Sequence, residues 1–304
     1  MNHNILIICN NSQDWIFSAM EKTGLVKLEN AYKKVNPILR MVRKVFYHFP
    51  IDKSFWYGDW KKRLNEFDTI ILFDVFLGDD MIEYITQNAP KVNLNVFYWN
   101  PIKNNYTIKQ ELMNKCKVWS FDKKDCDKYK LRYNHQFFFF GYNDSFHDEA
   151  YRNDVFFVGR DKERLQLLMQ LADYFDKEKL KSKIIVTREK RKVYSKEQER
   201  FLSLEGIPYE ETLRYSANTK CLLEIMQDGQ EGFTLRTLEA MFFNKKLITN
   251  NQTIREFDFY DPKNIYILGD KRENLIKFIL ENDANWNSDI LHKYSFADWL
   301  NNFL

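Results

Sequence analysis

Short apolar runs recur through the first half of the chain at 4–9 (NILIIC), 69–74 (TIILFD), 94–99 (LNVFYW), 118–121 (VWSF) and 136–140 (QFFFF). Their lengths suit buried strands, and helical or loop-like stretches separate most of them. The polar, aperiodic stretch 141–153 interrupts the pattern, which then restarts at 154–158 (DVFFV). After Gly159 the spacing predicts a helix over 161–175, strands at 183–187 and 221–225, a helix over 233–243, strands at 246–249 and 265–268, and a helix over 272–280. The last segment, 288–304, reads as a helix able to pack back on the first half.

Alternation of this kind predicts an α/β fold with parallel sheets. Two Rossmann-like α/β domains are expected, 1–150 and 151–304, facing across a cleft. Open sheets of this class take ligands at the carboxyl ends of their strands, so functional residues are expected there.

Composition narrows the class. The 304 residues are 44% hydrophobic and 29% charged, which excludes disordered and fibrous chains. The balance of 46 Lys and Arg against 43 Asp and Glu gives no reason to expect a nucleic-acid partner from charge alone. Cys9, Cys116, Cys126 and Cys221 have no metal-ligand spacing and read as reduced thiols, and no metal is expected. Neither a membrane-spanning run nor a signal-peptide pattern is present, so a cytoplasmic location, peripheral on the inner face of the membrane at most, is expected. The glycine-rich dinucleotide fingerprint, the phosphate loop, the zinc-peptidase motif and the nucleophile elbow are all missing. Asp79 and Asp80 fall at a helix start and suit caps.

Only nine glycines occur in the chain, and two of them, Gly229 and Gly232, fall between the strand 221–225 and the next helix. That turn leaves helix amides open to an anion. The helix is apolar nearly all round, yet it carries Arg236 and Glu239. Buried charges need partners. Their spacing admits an internal ion pair, but the glycine turn beside them favours Arg236 facing a phosphate while Glu239 accepts from ribose hydroxyls.

Residues 231–241 (EGFTLRTLEAM) resemble the two-glutamate signature of GT-B-fold glycosyltransferases, departing from it at Thr234 and Arg236. The resemblance implies that Glu239 holds a nucleotide ribose, Glu231 the donor sugar, and the Gly232, Phe233 and Thr234 segment the diphosphate. Residues 154–164 (DVFFVGRDKER) are similar to the turn that opens the nucleotide domain of that superfamily. By that likeness Gly159 admits a close backbone approach and Arg160 neutralises the leaving diphosphate. The chain also looks like bacterial lipopolysaccharide or capsule glycosyltransferases, which implies a nucleotide-sugar donor, a glycan or glycolipid acceptor, no cofactor and no metal. Arg160, Arg236 and Asp74 are the expected catalytic residues. Asp74 would contact or deprotonate the acceptor, beside Trp99 and Asn100 at the end of the run 94–99. The plain alternative for Asp74 and Asn100 is a turn or helix cap. A catalytically silent binding or scaffolding subunit is the competing class.

One further segment stands out. In 36–49 (NPILRMVRKVFYHF), Ile38, Leu39, Val42, Val45, Phe46 and Phe49 share a face opposite Arg40, Arg43 and Lys44. With Lys33, Lys34, Phe55, Trp56, Tyr57 and Trp60 around it, the segment 33–60 reads either as a membrane-surface element or as a domain helix whose apolar face meets the core.

Overall fold

The computed structural model describes residues 4–9, 14–46, 49, 51–73, 79–102, 113–141, 146, 148–227, 232–269 and 273–304, the side chains of residues 79 and 273 apart. The chain is an α/β protein with two parallel six-stranded sheets. Two compact units result: Met1–Gln136 together with Phe296–Leu304, and Phe137–Ser295.

In the first unit the strands are β1 (Ile5–Cys9), β2 (Lys27–Asn30), β3 (Thr69–Phe73), β4 (Asn93–Tyr98), β5 (Lys117–Ser120) and β6 (Arg132–Tyr133). They lie in the order β2-β1-β3-β4-β5-β6, all parallel. β1 and β3 are almost entirely apolar because both of their faces are covered, whereas β4 carries a buried Asn95 whose Oδ1 accepts from Trp119 Nε1 at 2.9 Å. Leu6, Ile8, Ile70, Leu72 and Val96 pack on one side with Trp60, Met81 and Ile85. The helix Phe296–Asn301 belongs to this unit. Its Trp299 is fully buried, with ring centroids 5.1 Å from Phe97, 5.9 Å from Phe73 and 4.6 Å from Phe303.

The second unit contains β7 (Asn153–Arg160), β8 (Ser182–Thr187), β9 (Leu202–Ser203), β10 (Thr219–Glu224), β11 (Lys246–Thr249) and β12 (Ile265–Ile267). Read along the sheet, the order is β9-β8-β7-β10-β11-β12. The chain therefore winds outward from β7 in one direction, returns, and winds outward from β10 in the other. Such a reversal opens a crevice at the carboxyl ends of the two central strands, here β7 and β10. A buried lysine fixes the far side of the sheet: Lys246 Nζ donates to the carbonyls of Phe278, Ile279, Glu281 and Asn282, closing the end of the helix Glu273–Leu280.

Three expected elements differ, the first being the single helix expected over 288–304, which is two, Ser288–Lys293 and Phe296–Asn301. The run 136–140 is not a strand; it is an extended connection that makes one isolated bridge, Phe138 to Ser295. Its apolar character serves ring packing, with Phe138 5.5 Å from Phe242 and 5.9 Å from Phe243. The helix expected from residue 161 starts at Leu165. Left-handed φ angles of 41° at Lys162 and 64° at Glu163 turn the chain first. No helix among the described residues is long and apolar enough to cross a membrane.

Trp299→Ala empties a large site in the first unit's core and is expected to destabilise the chain by about 3–5 kcal/mol. Urea denaturation followed by tryptophan fluorescence and by far-ultraviolet circular dichroism checks this.

Candidate functional site

The carboxyl edge of β7 and β8 opens into a cleft of about 1530 Å³. Its lining comes from the turn after β7 (Arg160, Lys162, Glu163, Arg164), the segment after β8 (Thr187, Arg188, Glu189, Lys190, Arg191, Lys192) and Ile225, Met226, Gln227 and Asn250 at the ends of β10 and β11, with Leu167 and Leu204 completing it. Seven of these side chains are cations and two, Glu163 and Glu189, are acids. An excess of five positive charges in one concavity attracts anions.

Arg164 occupies the crevice at the sheet's switch point. Its guanidinium donates to the carbonyls of Arg160 at 2.6 Å, Asp161 at 3.3 Å and Ile225 at 2.5 Å, tying the ends of β7 and β10 together. Burial lowers its pKa, with the nearby Asp161 and Glu189 opposing that shift. Gly159 leaves room for this arrangement: a Cβ there would lie 2.9 Å from Arg164 Nη2, and the guanidinium would have to shift.

Asp161 is completely buried beneath the turn. One carboxylate oxygen accepts from the Leu165 amide at 3.0 Å, and the other accepts from Tyr194 Oη at 3.0 Å and pairs with Lys192 Nζ at 2.8 Å. Burial alone would raise the Asp161 pKa. The hydrogen bonds from Lys192, Leu165 and Tyr194 outweigh it and hold the carboxyl below its ordinary value. Lys192 is correspondingly raised by Asp161 and Glu163. The amino end of the helix Leu165–Lys177 thus already holds a carboxylate, which repels a second anion from the usual phosphate position.

The remaining cations face outward. Arg160, Lys162, Lys190 and Arg191 are exposed, and no carboxylate among the described residues pairs with them. Arg188 makes a 3.4 Å pair with Glu199 at the side.

The residues expected from the 231–241 segment have other occupations. Glu231 and Asp74 lie outside the described residues. Gly232 takes φ +80° and its carbonyl accepts from Asn251 Nδ2 at 2.6 Å. Phe233 is buried against Phe257 and Phe259. Thr234 caps the helix Leu235–Phe242, accepting from the Arg236 amide while donating at 2.6 Å to Glu224. Glu224 is buried at the end of β10, and Thr237 and Thr249 complete its set of hydroxyl donors at 2.9 and 2.7 Å. Arg236 pairs with Glu239 directly, and both meet Ser216, each at 3.0 Å. Tyr209 Oη donates to Glu239 at 2.8 Å, and burial followed by that carboxylate raises the Tyr209 pKa well above its ordinary value. In the first unit, Trp99 packs on Phe73 and Phe97, and Asn100 is exposed just beyond β4.

Of the expected site residues that lie among the described ones, Arg160 alone lines the cleft, with Gly159 shaping it from below. The basic run 188–192 (REKRK), with Asp161 and Tyr194 beneath it, was not expected. Its signal in the sequence is a cluster of cations directly following a strand.

No protein-family model matches the chain. No curated protein matches it either. Among solved structures it is similar to a D-isomer specific 2-hydroxyacid dehydrogenase of Lactobacillus delbrueckii ssp. bulgaricus in an NAD complex, at 10% identity and a TM-score of 0.23, covering 82% of this chain and 71% of that one. It is also similar to an NAD+-bound 3-phosphoglycerate dehydrogenase of Entamoeba histolytica, at 11% identity and a TM-score of 0.23, covering 91% and 84%. A D-lactate dehydrogenase of Lactobacillus jensenii with NAD+ matches at 11% identity and a TM-score of 0.23, covering 91% and 93%.

These neighbours are oxidoreductases, not sugar transferases. The expectations of a GT-B glycosyltransferase, of a role in lipopolysaccharide or capsule synthesis and of a cofactor-free reaction are corrected accordingly: none of these neighbours is a sugar transferase, and Arg236 and Glu239, whose spacing carried the resemblance, are engaged with each other, Ser216 and Tyr209. The interior pairing of Arg236 with Glu239 supplies a structural reason for the motif-like spacing that carried the resemblance. The neighbours' reactions and cofactors belong to those proteins, and likeness at these scores assigns none to this chain.

Asp161 contributes stability that is present above the unfolded carboxyl value of about 3.9 and is lost as pH falls through its lower folded value. Asp161→Asn is expected to cost about 3 kcal/mol near neutral pH and to flatten the acid limb of the stability profile. Urea midpoints measured across the acid range for both proteins check this.

Proposed function

We propose that the second unit binds a nucleotide through its diphosphate, in the cleft at the carboxyl edge of β7 and β8. The observation that carries this reading is the set Arg160, Lys162, Lys190 and Arg191. These four exposed cations line one concavity, and none is paired with a carboxylate among the described residues. A cluster of like charges is unfavourable by itself and is relieved by a multiply charged anion, to which arginine forks donate bidentate hydrogen bonds. Leu167, Ile225 and Met226 add apolar wall beside the cations, suited to a base or another flat ring.

The mode differs from phosphate binding on a helix end. Arg164 fills the crevice and Asp161 caps the helix, so the diphosphate is placed against Arg160 and the 188–192 segment. A nicotinamide dinucleotide, as named for the NAD+-bound neighbours, is one member of this ligand class, as is any nucleoside diphosphate. The lining supplies binding more than proton transfer: its carboxylates are Glu163 and Glu189, and no histidine is among its described residues.

Calorimetry with ADP, UDP, NAD+, NADPH, pyrophosphate and adenosine tests the reading. The diphosphate-bearing ligands are expected to bind with an affinity that falls as salt rises, and adenosine is not. Arg160→Ala with Arg191→Ala is expected to weaken binding by about tenfold or more per residue, since a charge-assisted hydrogen bond is worth about 1.5–3 kcal/mol. Absence of binding by every diphosphate ligand, or equal binding by the double variant, would refute it.

A further inference from the structure

The helix Pro37–Phe46 in the first unit has no buried residue. At about 100° per residue, Met41, Val45, Ile38, Val42, Phe46 and Leu39 fall within one arc, and Arg43, Arg40 and Lys44 occupy the opposite side. A helix with this division normally turns its apolar arc to the core. Among the described residues one flank meets the protein: the Phe46 ring lies 6.1 Å from Trp56, and the Arg43 guanidinium lies 4.5 Å above the Tyr32 ring. The ridge formed by Ile38, Met41 and Val45 stands outward with exposures of 74%, 71% and 56%. Phe55, 68% exposed, lies beside the same helix-bearing segment, and Lys33 sits 5.1 Å over its ring.

We propose that this ridge and its flanking cations dock on an anionic lipid bilayer, the apolar side chains entering the headgroup boundary and the cations meeting lipid phosphates. Charge decides the occupant. Residues 33–51 contain Lys33, Lys34, Arg40, Arg43 and Lys44 and no Asp or Glu. A second copy of the chain meeting this face about a two-fold axis would bring the same cations together, and the carboxylates that follow in sequence, Asp52 and Asp59, are already engaged by Ser54 and by Lys62. A nucleic acid would answer the charge and leave the aliphatic ridge in water, since stacking on bases needs aromatic faces. An anionic bilayer satisfies both features at once.

The test uses the full chain with vesicles of phosphatidylcholine alone and of phosphatidylcholine with phosphatidylglycerol, read by co-sedimentation. Wild-type protein is expected to pellet with the mixed vesicles, to stay in solution with the neutral ones, and to be released by salt. Ile38→Glu with Met41→Glu, and separately Arg40→Glu with Lys44→Glu, should each abolish pelleting. These residues are exposed, so circular dichroism and the melting temperature should not change. Failure of the wild type to pellet, pelleting that either pair of substitutions leaves intact, or lipid-free self-association lost on Ile38→Glu with Met41→Glu would overturn the proposal.

Discussion

The guanidinium of Arg164 is the constraint on which the second unit's binding edge depends. A parallel sheet that reverses its winding direction leaves strand carbonyls pointing into an open crevice. Water or a ligand ordinarily satisfies such groups. Here one side chain takes the carbonyls of Arg160, Asp161 and Ile225, so β7 and β10 are joined at their ends by a fixed, always-charged fork. Filling the crevice in this way moves any anion outward, and the buried carboxylate of Asp161 at the adjoining helix start acts in the same sense. The cleft's chemistry is therefore carried by side chains from two loops instead of by backbone amides.

The interior of the same unit follows one rule, that each charge taken out of water is saturated with partners. Glu224 is held by the hydroxyls of Thr234, Thr237 and Thr249; Glu239 by Arg236, Ser216 and Tyr209; Lys246 by four carbonyls at a helix end. Removing one partner from such a set leaves an uncompensated charge, which costs more than the set as a whole contributes. These groups consequently specify the packing of the helix Leu235–Phe242 against β10 and β11. Thr234 does two things at once, since a single hydroxyl can accept from the helix amide and donate to the carboxylate.

Much of the architecture was legible in the sequence because buried parallel strands are apolar on both faces. The runs at 69–74, 94–99, 154–158 and 221–225 all overlap strands of the two sheets. The run 136–140 misled because apolar content reports burial, not hydrogen bonding, and Phe137, Phe138 and Phe139 are buried without a ladder. Arg236 and Glu239 were legible as a pair needing partners, but spacing on a helix gives no information on whether those partners are protein groups or a ligand. Ser216 and Tyr209, which settle the matter locally, come from a separate helix, Tyr209–Ala217, distant in sequence. The basic segment 188–192 was hidden for the opposite reason. Exposed cations follow no period, and only the fold shows that they gather with Arg160 and Lys162 along one edge.

Unsatisfied surface chemistry, more than buried chemistry, thus separates function from stability in this chain. A buried ion whose donors and acceptors are all occupied has been accounted for by folding. An exposed group clustered with others of its own kind has not, because folding gains nothing from placing like charges or bare aliphatic side chains together. Arg160, Lys162, Lys190 and Arg191 meet that criterion in the second unit, and Ile38, Met41 and Val45 meet it in the first. The two clusters are chemically unlike, one charged and concave, the other apolar and raised on a helix. The two proposed ligands differ accordingly, and neither property derives from the other.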